Sequence, residues 1–246
     1  MAYIDLNCDM GEGFATDADI MPYISSTNIA CGYHAGNEDV MKRTVALALQ
    51  HKVAIGAHPG FADMNNFGRT EIRLSEEQLF HLVAEQLYLL LDICKTFNAT
   101  LHHVKPHGAL YNMAARDPAM SAVIANAIQH VHPTCVLYGL SGSHLVSEAE
   151  KAGLRTASEV FADRTYQDNG SLTSRQLPNA LIEEESKALA QVLQMISTQT
   201  VTSVSGKAVP IKADTVCIHG DGVHAVAFAK KIHQTLQQHS IETRTI

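Results

Sequence analysis

Leu101-His102-His103-Val104-Lys105-Pro106-His107-Gly108 carries the pattern that decides the fold. A short apolar strand candidate, Leu101–Val104, runs directly into a cluster of polar, chemically capable residues. The pattern recurs in both directions along the chain. Tyr3–Leu6 runs into Asn7, Asp9 and the Gly11-Glu12-Gly13 turn, Thr27–Cys31 into Gly32-Tyr33-His34-Ala35-Gly36, and Val53–Ala57 into His58-Pro59-Gly60. Leu154–Ser158 leads to Glu159 and then Asp163-Arg164, and Thr215–Ile218 leads to His219-Gly220-Asp221. Only Thr134–Tyr138 ends blandly, in Gly139-Leu140-Ser141-Gly142. Strands that alternate with helices form a parallel sheet, and in a barrel their C-terminal ends converge on the face where active sites sit. The sequence therefore predicts an α/β fold, an irregular seven-stranded (β/α) TIM-like barrel in one domain over residues 1–246. Its polar strand ends make an enzyme the expected function.

The intervening segments carry helix signals. Glu38–Lys52 has Met41, Val45 and Leu49 at helical spacing behind Asn37, a cap residue. Ser75-Glu76-Glu77-Gln78 has the form of a capping box and opens a long helix through Leu79, Val83, Leu87 and Leu91. Asp117-Pro118 starts another helix with proline in its first position. Further helices are expected over His144–Ala152, Glu183–Thr198 and Val223–Gln238. The connections 60–73 and 161–178 are longer than a barrel needs and read as lids or binding loops. Residues 201–212 read as a small hairpin turning at Ser205-Gly206.

Composition narrows the function classes. The 246 residues are 46% hydrophobic and 17% charged, ordinary for a globular chain with a core. The formal net charge is −7 and no basic run stands out, which argues against nucleic acid or an anionic membrane as partner. No apolar stretch approaches the ~18 residues of a membrane span, and the N-terminus lacks a signal-peptide pattern, so a cytoplasmic location is expected. Five cysteines without a C-x-x-C pair fit a reducing compartment. Cys8, Cys31 and Cys217 read as small buried hydrophobes rather than nucleophiles. Nucleotide-binding fingerprints are missing: Gly206-Lys207 lacks the rest of a P-loop, and Gly11-x-Gly13 is not continued.

His58 and His107 each sit at a strand end beside proline and glycine. With Asp9 they supply two imidazoles and a carboxylate, a set suited to holding a hydrolytic metal or, without one, to general acid–base work on an amide. Lys105 is either an electrostatic clamp on a carboxylate or phosphate, or a partner for an acid inside the barrel. Asp5, Asn7 and Asp9 alternate on one face of the first strand and need partners if they point inward, and for Asp5 a structural network near the barrel mouth competes with a functional role. Asp163 and Arg164 either bind substrate or pair with each other. His219 and Asp221 read as ligands or as a cap for the following helix.

Taken together, these clusters resemble the lactam-utilisation (LamB/YcsF) family. The resemblance rests on Asp5 through Phe14, Asn28 through Gly36, His58-Pro59-Gly60-Phe61 through Phe67-Gly68-Arg69, His103 through Asn112, Glu159 through Arg164, and His219-Gly220-Asp221. It implies a barrel related to polysaccharide deacetylases and the ATP-dependent opening of 5-oxo-L-proline to L-glutamate with 5-oxoprolinase subunits B and C. ATP, with Mg2+, is the implied cofactor, at a site shared with or carried by those partners, and a divalent metal at the barrel mouth is a further candidate. Asp9, His58, His107 and Lys105 are then the catalytic candidates, with Asp9, His58 and His107 also the candidate metal ligands. Asn7, His34, Glu159, Asp163, Arg164, His219 and Asp221 are the substrate-binding candidates. Two departures from the family pattern lie in loops: Gly222-Val223-His224, where a proline is usual, and Asn169, where Asp is common. The competing readings are a stand-alone metal-dependent deacetylase or amidohydrolase on the same barrel, and a scaffold protein whose polar mouth only binds a ligand.

Overall fold

The computed structural model describes residues 2–220 and 224–246. Strands β1 (Ala2–Met10), β2 (Ser26–Ala30), β3 (Ala54–His58), β4 (Leu101–Val104), β5 (Val136–Leu140) and β6 (Arg155–Phe161) pair in sequence order, all parallel. A hairpin of β7 (Thr200–Thr202) and β8 (Ala208–Pro210) lies outside this sheet, turning where the sequence predicts. Strand β9 (Thr215–Ile218) then pairs with both β6 and β1, closing a seven-stranded barrel among the described residues. A short β10 (Ile241–Thr243) continues the sheet beside the first residues of β1.

β1 runs four residues further than the sequence suggests, because Asn7 and Asp9 are not the end of an apolar strand. They are inward positions of a strand whose outward positions, Ile4, Leu6, Cys8 and Met10, are buried in the hydrophobic core. The same correction applies to β6, where Glu159 lies inside the strand and not beyond it. The barrel interior is thus polar and must be satisfied internally. Asn7 donates to Glu159 and Thr215, Asn28 donates to Asn7, and His103 Nε2 lies 2.8 Å from Asn28 Oδ1. At the opposite end from the mouth, Asp5 accepts from Ser25, Ser26 and Thr215, and burial raises its pKa. Asp5 thus sits in a structural network, but at the floor of the barrel and not near its mouth, because its partners Ser26 and Thr215 open β2 and β9.

The outer layer comprises α1 (Asp17–Ile20), α2 (Glu38–His51), α3 (Glu76–Thr96), α4 (Gly108–Arg116), α5 (Pro118–Val131), α6 (His144–Lys151), α7 (Glu185–Thr198) and α8 (Ala225–Gln238). Asn37 accepts from Val40 N, Asp117 accepts from Ala119 N and Met120 N, and Ser75 with Gln78 completes the capping box. Helix α4 is an addition to the expected elements: the chain turns helical at Gly108, directly after the polar cluster. Its buried Ala109, Leu110 and Ala114 follow helical spacing. The expected start of the last helix, at Val223, falls outside the described residues, as does Asp221. No helix among the described residues is long and apolar enough to cross a membrane.

Candidate functional site at the barrel mouth

Several strand ends contribute side chains to a cleft of about 880 Å3. Asp9 comes from β1, His58 from β3, and Lys105 and His107 from the turn between β4 and α4; all four line it. His34, from the turn after β2, is fully buried, and its ring stacks on that of His107 with centroids 3.8 Å apart and planes within 4°. Glu12 follows the tight Gly11 turn and carries a carboxylate into this group. Its Oε1 lies 3.4 Å from His107 Nδ1, 3.5 Å from His34 Nε2 and 3.8 Å from His58 Nε2. In the sequence Glu12 reads only as part of a turn; its place just past the end of β1 is the signal that could mark it.

Backbone contacts hold the imidazoles in place. His58 Nδ1 is 2.7 Å from the carbonyl oxygen of Lys105, and His107 Nε2 is 2.8 Å from that of Phe67. A carbonyl only accepts, so both of these nitrogens carry a proton, and each ring in its neutral form turns a lone pair inward. Phe67 belongs to the long loop after β3, which therefore covers the histidines and orients one of them. The turn after His58 is clamped by Gln86 of α3, which accepts from Gly60 N and donates to Gly60 O. A Cβ on Gly60 would lie 2.6 Å from His34 Nδ1, and one on Gly68 would lie 2.8 Å from His34 Cβ, so only glycine admits the rings. Gln86 is invisible as a site residue in sequence, since it lies on a helix face that reads as ordinary core.

Lys105 is buried and saturated. Its Nζ lies 2.9 Å from Asp9 Oδ1, 2.9 Å from Glu159 Oε1 and 3.1 Å from Cys217 Sγ. Burial opposes its charge, but the Asp9 and Glu159 carboxylates outweigh it and hold the pKa well above the usual lysine value. Burial likewise opposes ionisation of Asp9, yet His58 and Lys105 hold its carboxyl well below the usual range. Glu159 also accepts from Asn7 and from Tyr111, so it is fully engaged inside the barrel. Between the two readings of Lys105, the geometry is that of a partner for two acids. Burial pushes His34 and His107 down, His107 to about 3. The Cys8 and Cys217 thiols are pushed well up by burial, which leaves them without a nucleophilic thiolate.

Asp163 and Arg164 do not form the pair that the sequence offers as one option. Asp163 accepts from His219 Nδ1 at 2.8 Å, and His219 Nε2 accepts from Arg175 at 2.9 Å. Arg164 is buried and donates to Ala180 O and to Thr173 O at 2.6 Å, stitching together the loop after β6. Arg164 and Arg175 both line the cleft, but the Arg164 guanidinium is committed to backbone carbonyls, which leaves Arg175, a residue to which the sequence alone assigns no role, as the loop's cation for a ligand.

The described residues gather one cluster with the donor set of a metal centre: Glu12, His34, His58 and His107, whose ligand atoms all lie within 4.8 Å of one another. Asp9, a candidate ligand from sequence, borders it with Oδ2 at 3.4 Å from His58 Nε2.

Residues 4–246 match the LamB/YcsF family. A relative from Shouchella clausii, named as the A subunit of 5-oxoprolinase, is 55% identical over 99% of this chain and 98% of its own length. The crystal structure of a lactam utilization protein from Thermus thermophilus superposes with a TM-score of 0.94 at 38% identity, covering 99% of this chain and all of that one. The peptidoglycan deacetylase PdaC from Bacillus subtilis shares the fold at a TM-score of 0.54, with 11% identity over the whole chain and 88% of its own.

Proposed function

The chain belongs to the LamB/YcsF family, and from that membership we propose that it is the A subunit of an ATP-dependent 5-oxoprolinase. The reaction opens the lactam of 5-oxo-L-proline to L-glutamate, with ADP and phosphate formed. Phosphoryl transfer from ATP to the lactam oxygen makes the ring carbon electrophilic. Water then adds to that carbon, the C–N bond breaks with the nitrogen taking a proton, and phosphate leaves. ATP, with Mg2+, acts in the assembly with subunits B and C. Five free, buried cysteines fit work in the reducing cytoplasm.

The observation that carries this reading is the charge layout of the cleft. At one pole the Asp9 carboxylate stands beside the His58–His107 pair, groups of the kind that orient water and take its proton. Lys105 and Asn28 both donate to Asp9 Oδ1, which leaves Oδ2 turned toward His58. At the other pole stands Arg175. Its partner His219 is held by Asp163 with Nδ1 as donor, so Nε2 is a neutral acceptor and the guanidinium keeps its charge for an anion. A five-membered lactam bearing one carboxylate has a group for each pole, its carboxylate for Arg175 and its amide carbon for the water.

Glutamate release from 5-oxoproline and ATP, measured with subunits B and C and with this chain present or omitted, tests the assignment. Strict dependence on the chain is expected; turnover without it refutes the proposal. Arg175→Gln is expected to raise KM for 5-oxoproline by about 10-fold or more with kcat nearly kept, as for loss of a uniform binding contact. An unchanged KM removes Arg175 from substrate recognition.

A further inference from the structure

In their neutral forms His58 and His107 turn their inner lone pairs on each other at the barrel mouth. His58 Nε2 and His107 Nδ1 are 2.9 Å apart, and the outer nitrogen of each ring is already committed as a donor to a backbone carbonyl. Two acceptors at hydrogen-bond distance repel unless something positive lies between or beside them. A shared proton would satisfy this pair alone. It would leave His34, which is fully buried, with neither ring nitrogen hydrogen-bonded, an arrangement that costs free energy unless a further partner is bound. The Glu12 carboxylate faces all three rings.

We propose that Glu12, His34, His58 and His107 form a binding site for one divalent transition-metal ion, distinct from any Mg2+ that accompanies ATP. Four of the six separations between ligand atoms, 2.9, 3.4, 3.5 and 3.8 Å, scatter about the roughly 3.4 Å expected on a tetrahedron of ~2.1 Å bonds, and all six lie within 4.8 Å. Three imidazoles and a carboxylate suit zinc, cobalt, nickel or iron over magnesium or calcium, which prefer all-oxygen sites. Ligating histidines commonly anchor their second nitrogen on a backbone carbonyl, as His58 and His107 do here. The ion would supply Lewis acidity at the cleft floor. Asp9 borders this set, its Oδ1 held by Lys105 and Asn28 and its Oδ2 3.4 Å from His58 Nε2.

The inference stands apart from the oxoprolinase reading, and its test needs no turnover. The isolated chain, stripped with a chelator, is titrated with Zn2+ by calorimetry and with Co2+ by visible absorption, since four-coordinate Co2+ absorbs far more strongly than the aqua ion. Binding of one ion per chain is expected, with a four-coordinate Co2+ spectrum and no competition from millimolar Mg2+. His34→Phe and Glu12→Gln are each expected to weaken Zn2+ binding by about 100-fold or more. His239→Ala, at an exposed histidine, keeps full affinity and controls for surface chelation. Folding of each variant is checked by circular dichroism, and two ligand variants guard against one failing to fold. Absence of stoichiometric binding to the folded chain, or binding indifferent to both variants, overturns the site and leaves a proton shared by His58 and His107.

Discussion

Replacing Lys105 with methionine tests how the barrel interior is held together. The side chain is 3% exposed, and its ammonium lies 2.9 Å from the carboxylates of both Asp9 and Glu159, the latter 0% exposed. Methionine fills similar volume and makes no ion pair, so the packing loss is small and the electrostatic loss is isolated. Removing one member of a buried pair leaves an uncompensated charge, which costs about 3–5 kcal/mol. For a chain of this length each kcal/mol shifts Tm by about 2–4 °C, so a fall of roughly 6–20 °C is expected. Urea unfolding at pH 7 with an unchanged m-value would report the loss directly. A second substitution, Glu159→Gln, removes one stranded charge, and the Lys105→Met/Glu159→Gln double variant should recover about 1–3 kcal/mol relative to additivity. The reasoning would be refuted by a single variant that loses under about 1 kcal/mol, or by a double variant whose losses simply add.

Gly60→Ala should disturb the histidine cluster from a distance, because the new methyl would sit 2.6 Å from His34 Nδ1 while Gln86 pins the Gly60 backbone. A stability loss of about 1–3 kcal/mol, together with weaker metal binding, is expected; wild-type values for both would show that the turn can yield. His103 is stacked on Tyr138, and burial, with help from His102, holds its pKa well below the ordinary histidine value. Its folded pKa is depressed, so the stability it confers is complete above pH ~6.5 and is lost as pH falls, with a limiting slope of about 1.4 kcal/mol per unit. The stability gap between wild type and His103→Gln, followed by urea midpoints from pH 7.5 to 5, should narrow toward acid. A constant gap would mean that His103 titrates normally.

The barrel is legible in the sequence because strand ends rich in His, Asp and Lys occur at intervals that only a repeating strand–helix unit explains. His58, His107, Asp9 and Lys105 are legible for the same reason, since position in the repeat marks them. What stays hidden depends on contacts between distant segments. Asn7 and Asp9 look like the end of a strand when alternation is judged against an apolar interior, and this interior is polar. Glu159 sits within β6, so a reading that places it beyond the strand misses its bonds to Lys105, Asn7 and Tyr111. Arg164 and Arg175 cannot be told apart in one loop until Thr173 O and Ala180 O show which guanidinium is spent. Gln86 and Glu12 need three-dimensional proximity to emerge at all.

The seam between β1 and β9 has a consequence for how the molecule is made. Asp5 and Asn7 find Thr215 some two hundred residues along the chain, and Lys105 meets Cys217 across more than a hundred. During synthesis the first strand leaves the ribosome long before its closing neighbour exists, with a row of charged and amide groups still facing water. Strands β1 to β6 can pair as they emerge, but the seam and its interior bonds wait for β9, so closure should be late and slow, as expected for contacts of large sequence separation. Chains interrupted before β9 should accumulate as open sheets, exposing two unpaired edges to one another and to quality-control proteases.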